Sequence, residues 1–196
     1  MVGERLSIVL AVALAGCASS PAPLPQAAPM PQREAPPQGG QAQPPVTVPG
    51  GNTTAPSPEA QQILDQIQGY RTWPTFRTVP EPTFSQAHGG RYLITYYNGV
   101  VEAAIEQDIL PLPNGAIFVA ENRTSPDLGE PPVLTIMSKA QGRWYWLQLA
   151  DSQVLQDSRG RPIEGYGGGG TTACLECHSQ NRRNDFVFGH NFSRPY

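Results

Sequence analysis

The sequence predicts an α+β fold, mainly antiparallel β-sheet with a few helices, behind a disordered proline-rich linker. Three observations predict it. Between residues 91 and 149, short runs of β-forming residues alternate with turn signals. Helix starts are few, and the helices they open are short. The 22 prolines concentrate before residue 58, which separates a non-globular leading segment from the rest. A chain of 196 residues then suits one folded domain, placed at 58–196.

The elements follow in order. Ser57-Pro58-Glu59 opens a helix with an N-cap, a proline at the first helical position and an acid in the first turn. Ile63, Leu64 and Ile67 give that helix one apolar face, and Gly69 suits its end. Residues 70–82 hold Trp73, Phe76 and three prolines, so an irregular, packed segment is expected. Residues 91–97 (RYLITYY) read as a strand. Asn98 caps a short helix running to Ile105. Asn114-Gly115 is a turn, and 116–120 is the next strand. Residues 133–138 and 144–149 pair as a hairpin across Ala140-Gln141-Gly142. Residues 165–170 form a glycine run read as flexible, and no internal repeat is visible. Strands followed by neighbouring strands, with helices set apart, make the α+β class.

The leading segment reads as an address. Arg5 precedes an apolar run, 6–14, too short to span a bilayer as a helix. A basic residue, a short apolar stretch and small residues after it read as a secretory signal peptide, 1–16. Leu14-Ala15-Gly16-Cys17 resembles the bacterial lipobox, in which the cysteine thiol is lipidated and becomes the new N-terminus. Ala18, rather than an aspartate, follows Cys17, and that resemblance favours the outer membrane. Residues 17–57 are then a lipidated tether. Rich in Pro, Gln, Ala and Gly, the stretch cannot bury enough apolar surface to offset its ordering entropy. Acyl chains contribute about 0.8 kcal/mol per buried methylene, so more than one makes a stable membrane anchor. The formal net charge is -3 with no basic stripe, which argues against nucleic acid as a partner.

One motif carries chemistry. Cys174-Leu175-Glu176-Cys177-His178 is the attachment signature of a c-type haem. Two thiols one helical turn apart match the separation of the two haem vinyl groups, and the next residue lies under the iron. One covalent haem c is therefore expected on Cys174 and Cys177, with His178 as proximal iron ligand. Three other readings of the cysteines stand beside it. A dithiol oxidoreductase uses Cys-x-x-Cys, but near a βαβ pattern that is missing here. A structural zinc site needs a fourth ligand at metal spacing, and none follows. A simple disulfide leaves His178 unexplained. His88, in Gln86-Ala87-His88-Gly89-Gly90, and His190 are the remaining histidines. Flanking glycines let backbone approach a flat ring closely. A glycine loop before a strand is a poor rigid support, so His88 is expected to line the pocket without ligating. His190 reads as a surface residue.

The ordered pieces resemble the cytochrome P-460 family, which includes the cytochromes c′-beta. They are Trp73-Pro74, His88-Gly89, Tyr96-Tyr97-Asn98, Asn114-Gly115-Ala116-Ile117-Phe118-Val119-Ala120-Glu121, Lys139 with Gly142-Arg143-Trp144, the haem motif, and Asp185-Phe186-Val187-Phe188. The resemblance implies an antiparallel sheet with helices, haem edge-on to the sheet, and five-coordinate iron facing a distal pocket. It also implies a homodimer. The family's best-known members oxidise hydroxylamine or bind nitric oxide. Hydroxylamine oxidisers cross-link a lysine to the haem; here that place holds Ala120, before Glu121. Lys139, the one lysine, falls on another strand, so no cross-link is expected. The distal carboxylate of those enzymes falls at or near Thr135, which cannot take up a proton.

The chain is thus expected to be a periplasmic, lipid-anchored haem protein that binds a small diatomic ligand such as nitric oxide, or passes electrons to a redox partner protein. The rival is an oxidoreductase acting on hydroxylamine or a related nitrogen compound. It needs a proton acceptor near the iron, for which Glu121 and Glu102 are the candidates. His88, Thr135, Ala120 and Glu121 make up the expected distal pocket.

Overall fold

The computed structural model describes residues 52–76, 81–127 and 132–189. The export segment, Cys17, the tether up to residue 51 and His190 lie outside the described residues. Among the described residues, no helix is long and apolar enough to cross a membrane.

The strands are β1 (Thr53–Thr54), β2 (Thr83–Ser85), β3 (Arg91–Tyr97), β4 (Ile117–Arg123), β5 (Val133–Ala140), β6 (Arg143–Ala150), β7 (Gln153–Leu155) and β8 (Glu164–Gly165). They form one sheet in the order β1-β7-β6-β5-β4-β3-β2, with β8 also paired to β6. Every pairing is antiparallel. Among the described residues, three α-helices accompany it: α1 (Pro58–Gln66), α2 (Gly99–Glu106) and α3 (Thr172–His178). This is the expected α+β class. Thr53–Thr54 pair with Leu155 and Val154, so the last residues of the segment read as tether belong to the sheet.

Local chemistry explains the elements. The Ser57 hydroxyl accepts from the Ala60 N–H at 3.1 Å and starts α1. Asn98 caps α2 through Val101 and also binds the Gly115 carbonyl, so one side chain fixes both the helix and the turn before β4. Gln141 and Gly142 both have positive φ, the twist-matched geometry of a tight β5–β6 hairpin. Strand alternation divides the apolar side chains between two faces. On one face, Ala60, Ile63 and Ile67 pack on Ile117, Val119, Ile136, Leu147 and Leu149. Val119 and Ile136 are fully buried there, each contributing about 1.5–3 kcal/mol. On the other face Phe118, Met137, Trp144 and Trp146 meet α2 and Val187.

Two expectations need correction. The strand read as 116–120 runs to Arg123, because the buried polar residues Glu121, Asn122 and Arg123 find partners within the fold. The glycine run at 165–170, read as flexible, is closely packed at Gly167 and Gly170. A Cβ at Gly170 would collide with the Pro162 carbonyl, so glycine there permits backbone contact just ahead of α3.

Candidate functional site

The cysteine motif occupies α3. A 3-10 turn, Gly169–Thr171, leads into the helix. Helical spacing puts Cys174 and Cys177 on one side. Neither thiol is paired with the other. Burial pushes the Cys174 thiol up to about 11, the opposite of what a thiolate nucleophile requires. Burial thus works against a thiolate nucleophile at Cys174.

His178 closes α3. Its ring packs edge-on against Trp146, with centroids 4.7 Å apart, and against Phe188 at 5.1 Å. Nδ1 lies 2.7 Å from the Phe186 carbonyl oxygen. A carbonyl only accepts, so Nδ1 carries the proton and Nε2 keeps its lone pair. Burial lowers the imidazole's affinity for a second proton, and the nearby His88 lowers it further, against the Phe186 hydrogen bond. The ring is neutral and ready to ligate a metal.

His88 ends the 3-10 turn Gln86–His88, and Gly89 and Gly90, both at positive φ, lead from it into β3. Its Nδ1 lies 3.0 Å from Asn122 Oδ1. The Asn122 amide donates from Nδ2 to the carbonyls of Ala120 and Val133 and to Thr135 Oγ1, at 3.1, 3.1 and 2.9 Å. Those acceptors fix the amide's orientation and leave Oδ1 for His88. His88 must then donate from Nδ1, and its Nε2 is also left with a lone pair. Burial holds this imidazole neutral too, against the Asn122 hydrogen bond. The two histidine rings are 6.5 Å apart, centroid to centroid, and inclined by 77°.

Both rings line a cavity of about 550 Å³, together with Cys177, Ala120, Thr135 and Phe118. A smaller adjoining cavity reaches Cys174, Asn122 and Trp146. The register aligns Thr95, Ala120, Thr135 and Gln148 in one row across β3 to β6. The next row is Tyr97, Phe118, Met137 and Trp146. Small side chains beside bulky ones make a trough across the strands.

These residues fit a haem. Imidazoles on opposite sides of one metal ion, with bonds of about 2 Å, have centroids a little over ~6 Å apart. Cys177 and His178 line the larger cavity, and Cys174 lines the smaller one beside it. Among the described residues, no group of three or more His, Cys, Asp or Glu side chains is arranged to hold a metal ion, as structural zinc requires. A porphyrin brings its own equatorial donors.

The expected site residues divide. Cys174, Cys177, His178, His88, Ala120 and Thr135 come together. Glu121 does not. It alternates to the opposite face, 1% exposed, where Tyr70 Oη, Arg71 Nε and Arg123 bind its carboxylate at 2.6, 2.7 and 2.6 Å. Burial raises its pKa, but those partners outweigh burial and hold it below the ordinary value. Glu102 is exposed on α2 and lines neither cavity. Lys139 is buried against Asp185 and lines neither. Asn122 and the Phe186 carbonyl are functional groups that sequence reasoning missed. Strand register past Ala120 was the one signal that could have found Asn122. The fold and the site together define a class: a two-histidine, two-thiol cavity on one face of an antiparallel sheet. No family model, curated protein or solved structure matches the chain.

Proposed function

We propose that this chain is an exported c-type haem lipoprotein that transfers electrons, with His178 and His88 as the two axial ligands. The observation that carries the reading is the pair of neutral imidazoles, 6.5 Å apart, each with Nδ1–H engaged and Nε2 without a partner among the described residues. Cys174 and Cys177 would hold the group through two thioethers, formed by adding each S–H across a vinyl group with no oxidant needed. The haem iron, once held, supplies a one-electron couple. In this reading His88 would ligate as well as line the pocket, with its ring steadied by the Asn122 hydrogen bond. Lipidated Cys17 and the tether hold the domain at the periplasmic face of the outer membrane, within reach of a redox partner protein.

Binding of a small ligand such as nitric oxide is the second reading. It is favoured by the cavity of about 550 Å³ that the His88 ring lines with Ala120 and Thr135, which gives a small molecule room beside the imidazole. Oxidation of hydroxylamine loses the proton acceptors expected for it: Glu121 is committed to three partners on the other face and Glu102 lines neither cavity, which leaves Glu81 as the carboxylate residue lining the larger one. A visible spectrum tests the choice. Low-spin ferric haem that becomes high-spin in His88→Ala supports two histidine ligands. A high-spin spectrum unchanged by His88→Ala would overturn that and leave ligand binding.

A further inference from the structure

Lys139 is the only lysine of the sequence, and it is 4% exposed. Its Nζ lies 2.5 Å from Asp185 Oδ2, which also accepts from the Leu112 N–H at 2.9 Å. The Lys139 ammonium also lies over the Trp144 ring, 5.2 Å from its centroid. Trp144 Nε1 in turn donates to the Asp185 carbonyl at 3.0 Å. These contacts converge on a backbone that resists its own conformation. Asp185 and Phe186 have φ of 51° and 68°, a region that side chains with a Cβ seldom adopt. Such residues persist where their surroundings over-determine them. The next group along is the Phe186 carbonyl, the acceptor for His178 Nδ1–H.

We infer that Lys139 is a positioning residue for His178: its buried pair with Asp185 holds the turn that aims the Phe186 carbonyl at His178 Nδ1–H. This inference rests on the haem reading above. The partner of a ligating histidine's second nitrogen fixes ring orientation and raises ligand basicity. A better donor favours ferric over ferrous iron, so the pair keeps the reduction potential low. Lys139 thereby acts on the iron from outside the cavity.

The test uses the full chain, matured with haem, and reads the reduction potential by spectroscopic titration. Lys139→Met with Asp185→Asn removes both charges together, so no unpaired charge stays buried, and asparagine tolerates the left-handed backbone. Trp144→Phe is the milder variant, removing one contact to the same turn. Both potentials are expected to rise, the charge-pair variant's more. If the pair variant fails to fold, Trp144→Phe decides. Covalent haem with an unchanged potential in the folded variants, even at reduced thermal stability, would overturn the inference and leave Lys139 a structural residue. Wild-type protein without covalent haem would overturn the haem reading itself, and the inference with it.

Discussion

At the scale of single residues, the two histidines owe their chemistry to what holds Nδ1. Asn122 is 4% exposed and makes four hydrogen bonds, one of them to His88. Asn122→Leu is expected to release His88 and add a high-spin fraction to the ferric spectrum. It should also cost about 1–3 kcal/mol of stability, because buried polar partners lose a bond. Denaturant titration and the visible spectrum of the same sample check both effects. A purely low-spin spectrum in Asn122→Leu would show that His88 needs no such support. The cysteines obey different chemistry. Cys174→Ser should leave one thioether, and Cys174→Ser with Cys177→Ser should leave haem that acid and organic solvent extract. Haem that resists extraction from the double variant would disprove attachment at these thiols.

At the scale of elements, the strands and helices with a repeating pattern were legible and the short ones were not. Strand β3 was read at its observed bounds because RYLITYY is almost unbroken β-former. The β5–β6 hairpin was legible from its glycine. Strands β1, β7 and β8 have two or three residues each, too few for any period to show. The turn before β7 places Asp151 and Ser152 at positive φ, with no glycine to announce it. Strand β4 extends past Ala120 through Glu121-Asn122-Arg123, three polar residues that show no apolar alternation in sequence. Only the fold reveals Tyr70 and Arg71 waiting for Glu121, and Thr135 for Asn122. The same limit hid half of the site: motif spacing exposed Cys174, Cys177 and His178, whereas Asn122 requires a register. Gly170 belongs here too. Gly170→Ala is expected to destabilise by about 1–3 kcal/mol through its collision with Pro162 and to lower haem incorporation. Unchanged melting and full incorporation would show that the approach to α3 is freer than its packing.

At the scale of the whole molecule, acid stability follows from Glu121. Its folded-state pKa is depressed, so its contribution is fully present above the ordinary carboxylate range near ~4.3. That contribution is lost as pH falls through the lower folded value. Glu121→Gln should therefore lower stability at neutral pH and flatten the acid limb of the stability curve. A parallel curve, merely displaced, would place the acid sensitivity elsewhere. The anchor is a separate property. Cys17→Ser should abolish incorporation of labelled palmitate while the haem spectrum stays the same. Label retained in Cys17→Ser would remove the lipoprotein assignment without touching the haem domain.

The supports of the two histidines differ in how open they are to inherited change. Every amino acid at position 186 brings a main-chain carbonyl, so no substitution deletes the acceptor that serves His178. The acceptor that serves His88 is a side chain, and one codon change at 122 erases it. On the two-histidine reading, a lineage carrying this fold would gain or lose the support of His88 in a single mutational step. The first position is shielded from the same tinkering.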